Sequence, residues 1–138
     1  MFQTVYVSAA TQMFSKTQLQ DLLAVARHNN QRLGISGMLL YKDGDFIQLL
    51  EGEESVVRAL LSKILADKRH HSSVVMIEES TTSRLFPDWS MGFRDLSDPD
   101  VQKMPGFSDF MSTARLPDHF AHDPNGCLDL LAMFKPSI

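Results

Sequence analysis

The sequence contains a single cysteine, Cys127, among its 138 residues. One cysteine excludes an intramolecular disulfide, and a reducing compartment is the simplest environment for such a chain. The sequence has no run of about 18 apolar residues, and its first residues lack the charged and apolar regions of a signal peptide. We therefore expect a cytoplasmic protein with neither a membrane span nor a secretory leader.

An excess of basic residues is also missing, since 13 Lys and Arg stand against 17 Asp and Glu and the net charge is −4. Proteins that bind nucleic acid gain much of their affinity by neutralising phosphates, and the densest basic stretch here is only residues 68–71. We expect no nucleic acid partner. Repeats are absent as well, and 43% hydrophobic with 22% charged residues is typical of one globular domain.

The first strand and the first helix carry clear local signals. Residues 2–8 are rich in aromatic and β-branched types, which predicts a strand. Ser15 can then cap a helix while Gln18 reaches back to it, which is the pattern of a capping box. Apolar residues at helical spacing follow, and we expect the helix to end between residues 29 and 32, ahead of Gly34.

A hairpin and a second helix come next. Residues 35–41 and 46–50 are strand-like, and the Asp43-Gly44 pair between them supplies the positive φ angles of a type I′ turn. A helix is expected to open at residues 52–54, with acidic groups at its positive end. Its apolar stripe comprises Val56, Val57, Leu60, Leu61, Ile64 and Leu65.

The order of these elements predicts the fold class. Residues 73–77 are expected to form a fourth strand and residues 89–93 a short fifth. The order β-α-β-β-α-β with one extra strand is typical of the ferredoxin-like α+β sandwich, which has two helices on one face of a mostly antiparallel sheet. In that topology the first and third strands lie side by side in the centre.

The end of the sequence differs in composition. Five prolines punctuate residues 97–138 and leave room only for short helices, of which residues 127–134 are the best candidate. We therefore expect one domain over residues 1–96 and a short helical extension over residues 97–138 that packs on the open face of the sheet.

Three polar residues stand where the pattern predicts burial: Asn30 on the first helix, Gln48 between Phe46 and Leu50, and Tyr6 on the first strand. A buried amide without a partner costs about 1–3 kcal/mol, so the three should satisfy one another or hold a polar-edged ligand. Structural explanations also exist. Asn30 is compatible with a left-handed residue after the helix. Gln48 is compatible with a side chain that faces solvent or bonds a neighbouring backbone group, and Tyr6 with a core ring whose hydroxyl lies at the rim.

Five blocks of the sequence, in order and at matching spacing, resemble the BLUF domain, a family of flavin-based blue-light sensors. The resemblance covers about residues 2–96. The blocks are VYVS with Tyr6, RHNNQRLGISGMLLY with Asn29 and Asn30, DFIQLLEG with Gln48, DKRHHSS with Arg69 and His70, and FPDWSMGF with Trp89 and Met91.

The resemblance implies roles for these residues around a flavin ring held between the two helices. Asn30 is expected to bind the carbonyl and imide edge of the ring, with Asn29 beside it. Arg69 is expected to hydrogen-bond the pyrimidine side, with His70 nearby. Gln48 is expected between the phenol of the first strand and the N5/O4 region of the flavin. An amide side chain suits such an edge because it both donates and accepts.

Further residues follow from the same resemblance. Leu23 and Ile35 are expected to be apolar neighbours of the ring. Trp89 and Met91 belong to a segment whose position differs between family members, and we expect them to relay the signal. Ala26 departs from the family pattern, in which several members carry serine.

The family mechanism begins when the excited flavin, a strong oxidant, takes an electron from Tyr6, and a proton follows through Gln48. Recombination leaves Gln48 rotated or tautomerised, and its new hydrogen bond to the flavin produces a small red shift. The resemblance implies FAD as cofactor, with FMN or riboflavin as other possibilities. It also implies an unidentified downstream protein, because the sequence shows no output module, and assembly into a homo-oligomer.

Other functions compete with this one. The leading alternative is a ferredoxin-like protein-interaction module that binds no flavin. An acylphosphatase-like enzyme would need an arginine after the first strand, and residues 9–14 contain no basic residue. A flavin receptor that forms a cysteinyl adduct is disfavoured because Cys127 lies in the tail. His119 and His122 lack a clear third ligand, so we expect no metal site and no enzyme.

Overall fold

A computed structural model describes residues 1–88 and 90–102, together with Leu128, Asp129 and Leu131. The described elements are β1 (Phe2–Ala10), α1 (Lys16–Leu33), β2 (Ser36–Lys42), β3 (Asp45–Gly52), α2 (Glu54–Leu65), β4 (His70–Ser80), β5 (Gly92–Asp95) and the short α3 (Pro99–Gln102). Five strands form one sheet in the order β4-β1-β3-β2-β5. Neighbouring strands are antiparallel except for β2 and β5, which are parallel. The predicted ferredoxin-like fold, with β1 beside β3, is confirmed.

The local signals at the first helix and the hairpin are also confirmed. The Ser15 hydroxyl accepts a hydrogen bond from the Gln18 backbone N–H at 3.1 Å, and the Gln18 side chain accepts from the Ser15 N–H at 2.8 Å. In the turn between β2 and β3, Asp43 and Gly44 have φ angles of 48° and 91°, the two positive values that a type I′ turn requires.

Several predicted boundaries are wrong. The helix α1 continues past residue 32 to Leu33, and Gly34 ends it with φ 68°. Both β1 and β4 are longer than predicted, since each gains length by pairing with the other. The fifth strand occupies Gly92–Asp95 and not residues 89–93, because its position is set by parallel pairing with β2, a contact that no local pattern reveals.

The two faces of the sheet bury separate clusters of apolar residues. Successive side chains of a strand point to opposite faces, so Tyr6 and Gln48 lie on the face that α1 and α2 cover. The core on that face contains Phe2, Leu19, Leu23, Ile35, Leu39, Tyr41, Phe46, Leu50, Val57 and Met91.

The opposite face carries its own core. That cluster contains Val5, Val7, Met38, Leu40, Ile47, Leu49, Ile77, Phe86, Leu96 and Leu131. Leu131 is fully buried in it and Leu128 packs against it. Both have helical backbone, whereas the rest of the predicted helix over residues 127–134, apart from Asp129, lies outside the described residues. The predicted division at residues 96 and 97 stays a prediction.

Within the described ranges, no helix combines the length and the apolar character needed to cross a membrane.

Glu51 ties the loop after β4 to the sheet. Its side chain is fully buried and accepts hydrogen bonds from the Leu85 and Phe86 backbone N–H groups, both at 2.8 Å, and from the Ser36 hydroxyl at 2.9 Å. Arg84 reinforces the attachment by donating to the Ser36 hydroxyl at 2.7 Å and to the Glu51 carbonyl oxygen at 3.2 Å. The first part of the loop between β4 and β5 is therefore anchored to β3.

We expect Glu51→Gln to lower the free energy of unfolding by about 2–3 kcal/mol. The carboxyl group of Glu51 accepts from its donors with two oxygens, whereas the amide of glutamine has only one oxygen that accepts. Urea unfolding followed by circular dichroism measures the change. Glu53→Gln at the exposed start of α2 is the matched control and should stay within about 0.5 kcal/mol of wild type. Equal stability of Glu51→Gln and wild type would show that the loop is held without this side chain.

Candidate functional site

A cleft of about 280 Å³ opens between α1, α2 and the helix-covered face of the sheet. Apolar side chains of both helices form its walls, and the strands β1, β2 and β3 form its floor. The residues lining it are Tyr6, Phe14, Leu22, Leu23, Val25, Ala26, Asn29, Asn30, Leu39, Phe46, Gln48, Leu50, Leu60, Lys63, Ile64, Asp67, Arg69 and His70.

Tyr6 and Gln48 form a directly bonded pair at the floor of this cleft. They are register partners on the adjacent strands β1 and β3, and their side chains share a face. The Tyr6 hydroxyl donates to Gln48 Oε1 at 2.5 Å, and the two residues are only 4% and 7% exposed. Gln48 Nε2 donates in turn to Met91 Sδ at 3.5 Å. Gln48 therefore uses its acceptor toward one neighbour and its donor toward another.

Burial keeps the Tyr6 phenol protonated. Removal from water raises the pKa of the Tyr6 hydroxyl well above its ordinary value of about 10, and the negative charge of Asp67 raises it further. The hydroxyl is consequently a hydrogen-bond donor throughout the physiological pH range.

Asn30 and Asn29 lie on the α1 wall of the cleft. Asn30 is 2% exposed, and its Nδ2 donates to the Ser90 carbonyl oxygen at 2.7 Å. The interpretation of Asn30 as a left-handed residue after the helix is wrong, since it lies inside α1 and Gly34 takes the left-handed position. Asn29 lines the cleft beside it and is half-buried.

Arg69 and His70 lie at the entrance, where β4 begins. Arg69 forms an ion pair with Asp67 at 2.6 Å, and the hydrogen bonds from Arg69 are the main reason that the pKa of Asp67 falls to about 2. The His70 ring bonds Ser8 Oγ through Nδ1 at 2.8 Å and the Ile64 carbonyl oxygen through Nε2 at 2.5 Å. Because a carbonyl only accepts, Nε2 must carry a proton.

The other predicted site residues separate into three groups. Leu23 and Ala26 line the cleft. Ile35 does not line it and lies in the core under the helices, next to Gly52. Met91 is buried against Gln48, whereas Trp89 lies outside the described residues.

Arg27, Glu51 and Asp67 were not singled out from the sequence. Arg27 lies on α1 and donates from Nε to the Met91 carbonyl oxygen at 2.8 Å. No periodicity marks it, because its partner is backbone and distant in sequence. Glu51 follows Ile47 and Leu49 on one face of β3, and an acid that continues an apolar alternation is a usable signal of a buried carboxyl group. The Asp67-x-Arg69 spacing likewise favours a local ion pair.

The donor set and the shape of the cleft fit a flavin. Aliphatic walls suit the faces of a flat aromatic ring, while Asn29, Asn30 and Gln48 offer both donors and acceptors to its polar edge. The volume is near the lower end of the roughly 300–1,000 Å³ that ligand sites occupy. A neighbouring hollow of about 520 Å³ shares Phe14, Leu22, Val25 and Arg69 with the cleft.

Among the described residues, no group of three or more His, Cys, Asp or Glu side chains is arranged to hold a metal ion. Cys127, His119 and His122 lie outside the described residues.

Comparison with known proteins finds similarity to light-sensing proteins. The family model for BLUF, described as sensors of blue-light using FAD, matches residues 1–92. The photoactivated adenylate cyclase subunit alpha of Euglena gracilis is 35% identical over 89 residues, which cover 63% of this chain and 9% of that protein. The blue light- and temperature-regulated antirepressor BluF of Escherichia coli (strain K12) is 29% identical over 79 residues, covering 57% of this chain and 20% of that protein.

A solved structure matches over nearly the whole length of both chains. The dark-state structure of BlrB, a BLUF protein, has a TM-score of 0.81 and 26% sequence identity, and covers 99% of this chain and 96% of that chain.

Proposed function

The chain belongs to the BLUF family of blue-light sensors that use FAD, and from this premise we propose that Tyr6, Gln48 and a non-covalently bound flavin form its light-sensitive unit. The observation that carries the proposal is the hydrogen bond from the Tyr6 hydroxyl to Gln48 Oε1 on the floor of the cleft. A phenol and an amide are here held in contact, buried from water, at the place where the polar edge of the cofactor would lie.

The chemistry of the pair follows from its geometry. The flavin supplies, on absorbing blue light, an oxidant strong enough to withdraw an electron from a phenol. A phenol that has lost an electron is a strong acid, and the Tyr6 proton already points at Gln48 Oε1. An amide protonated at Oε1 can release a proton from Nε2, so Gln48 could pass a proton to a bound flavin that has taken the electron, once Nε2 turns toward it from Met91 Sδ. Both the electron and the proton return to Tyr6 when the charges recombine.

Recombination leaves Gln48 in a second arrangement, either rotated about its terminal bond or tautomerised. The two ends of the amide have opposite hydrogen-bonding character, so rotation exchanges the donor and the acceptor without moving the backbone. Buried networks respond strongly to such an exchange because an unpaired polar group is costly away from water. Gln48 therefore provides a reversible change of bonding, and no covalent bond to the cofactor is required.

The remaining residues have supporting roles in this proposal. Asn30 and Asn29 hold the carbonyl and imide edge of the ring, and Leu23 contacts its face. Arg69 and His70 close the entrance on the pyrimidine side. Ile35 acts from the core beneath the helices and not as a wall of the cleft.

BLUF domains are sensors that bind flavin and act on effector partners, and the segment that matches this chain covers 9% of the photoactivated adenylate cyclase subunit alpha of Euglena gracilis. We propose that the effector of this chain is a separate protein and that the chain itself catalyses no reaction. Cytoplasmic location and self-association stay predictions from the sequence.

The second candidate is an interaction module of the same fold without flavin. It is favoured by one observation: Tyr6, Gln48 and Asn30 already bond to groups of this chain, and in the described part of the chain no buried side-chain nitrogen or oxygen is left without a partner. The two candidates differ in whether the cleft takes up a ring.

A light-minus-dark absorption spectrum of the purified protein, expressed with ample flavin, decides between them. We expect a yellow protein with a structured blue absorption band that shifts reversibly to the red under blue light. Colourless protein would reject the photoreceptor and favour the interaction module, whereas bound flavin without a reversible shift would reject the proposed roles of Tyr6 and Gln48.

A further inference from the structure

Two side chains of α1 hold consecutive carbonyl groups of the loop before β5. Asn30 Nδ2 donates to the Ser90 carbonyl oxygen at 2.7 Å, and Arg27 Nε donates to the Met91 carbonyl oxygen at 2.8 Å. Residues three apart on a helix share a face, so both bonds come from one edge of α1. Asn30 also lines the cleft, but Arg27 does not. Arg27 therefore acts on the loop and not on the cofactor site.

Met91 is held at two points of different strength. Its carbonyl oxygen accepts a hydrogen bond from the guanidinium of Arg27, which is a charged donor. Its thioether sulfur accepts a hydrogen bond from Gln48 Nε2 at 3.5 Å, and sulfur is a weak acceptor. If the Gln48 amide turns over, Oε1 would face the sulfur, and two acceptors cannot bond. The hydrogen bond between the amide and Met91 is therefore present when Nε2 faces the sulfur and absent when Oε1 does.

The other end of the same loop is fixed to the sheet and does not depend on the state of Gln48. Glu51 holds the backbone N–H groups of Leu85 and Phe86 on the opposite face of the sheet. These bonds fix Leu85 and Phe86 to β3, so we expect any rearrangement nearer to β5. Among the described residues of this segment, Met91 hydrogen-bonds both to Gln48 and to Arg27 of α1.

We infer that Arg27 is a positioning residue of the photocycle: it holds Met91 where its sulfur accepts from Gln48, and it links the state of that amide to α1. The inference rests on the proposed function of Tyr6 and Gln48 and adds a residue to it. Arg27 favours the dark-state arrangement, in which Gln48 Nε2 donates to Met91 Sδ. By keeping Met91 in place, it also lowers the barrier for the return of Gln48 to this arrangement after illumination.

The test is the thermal recovery of the red-shifted state in the dark, measured by absorption on the flavin-loaded protein. Arg27→Gln should lengthen the lifetime of that state about tenfold, which corresponds to about 1.4 kcal/mol in the barrier. The dark spectrum and the flavin content should stay those of wild type, because Arg27 does not line the cleft. Arg27→Lys, which still donates to a carbonyl, should restore a lifetime closer to wild type.

Two further variants separate this role from a general effect of charge or packing. Arg32→Gln removes the same charge from an exposed position near the end of α1 and should recover at the wild-type rate. Met91→Ala removes the contact with Gln48, so adding Arg27→Gln to it should change the lifetime no further. Such non-additivity is the signature of two residues that act through one contact.

Several results of these measurements would overturn the inference about Arg27. An unchanged or shorter lifetime in Arg27→Gln, with a normal wild-type photocycle, overturns the inference alone. Equal lengthening in Arg32→Gln, or full additivity with Met91→Ala, overturns it too, as does loss of flavin from Arg27→Gln. A wild-type protein that shows no reversible shift overturns the proposed function, and the inference with it.

Discussion

Gln48→Leu is expected to give a yellow protein that binds flavin and shows no red shift under blue light. Leucine is close to glutamine in size and suits a position between Phe46 and Leu50 on the apolar floor of the cleft. It offers neither the oxygen that accepts from Tyr6 nor the N–H group that donates to Met91. The light-minus-dark difference should fall to the noise of the measurement, while the dark spectrum keeps its structured band.

The same substitution has a smaller effect on stability. Leucine leaves the buried Tyr6 hydroxyl without its acceptor, which costs about 1–3 kcal/mol, and part of this is offset by the apolar side chain. The matched control is Gln3→Leu, since Gln3 is buried on β1 and donates to Glu79 at 2.5 Å from the other face of the sheet. Gln3→Leu should keep the full red shift. A reversible shift of wild-type size in Gln48→Leu would remove the amide from the mechanism.

The helix-covered face of the sheet was predictable from the sequence because its rules are local. Alternation along β3 places Gln48 with Phe46 and Leu50, and the Asp43-Gly44 turn sets the register of β2 against β3. The order of elements then places β1 beside β3, which brings Tyr6 opposite Gln48. The sequence pattern could therefore predict that the two strands are neighbours, but the register that pairs Tyr6 with Gln48 comes from the structure, and the contact between phenol and amide was expected only from the family resemblance.

The loop between β4 and β5 could not be predicted in the same way. Its position depends on Glu51 from one side of the sheet and on Arg27 from the other, and both bonds join side chains to backbone groups far along the chain. Such bonds leave no periodic pattern in the sequence. The short β5 was misplaced for the same reason, since parallel pairing with β2 decides where it starts.

Ile35 was carried over from the family as a neighbour of the ring, and that role stays a prediction. The resemblance places it next to the ring, whereas Leu39 of β2 lines the cleft and Ile35 does not. Ile35 follows the helix end at Gly34 and packs against Gly52. Its side chain lies in the core on the helix-covered face of the sheet, outside the lining of the cleft.

Tyr6→Phe is expected to bind flavin, to lose the red shift and to fluoresce several-fold more strongly than wild type. The phenylalanine ring fills the same space, but it is a much poorer electron donor and carries no proton to pass to Gln48. Excited flavin that is no longer quenched by electron transfer returns its energy as light. Absorption difference spectra and the fluorescence yield of the bound flavin measure the two effects independently.

The second tyrosine of the chain provides the matched control for Tyr6→Phe. Tyr41 is also buried, at 3% exposure, and its hydroxyl accepts from the Phe14 backbone N–H at 3.1 Å. It does not line the cleft or contact Gln48, so Tyr41→Phe should keep both the red shift and the low fluorescence. If Tyr41→Phe loses the shift while Tyr6→Phe keeps it, Tyr41 is the electron donor and the proposed mechanism is wrong. If only Tyr6→Phe loses the shift, the electron donor is Tyr6, whose phenol bonds the Gln48 amide.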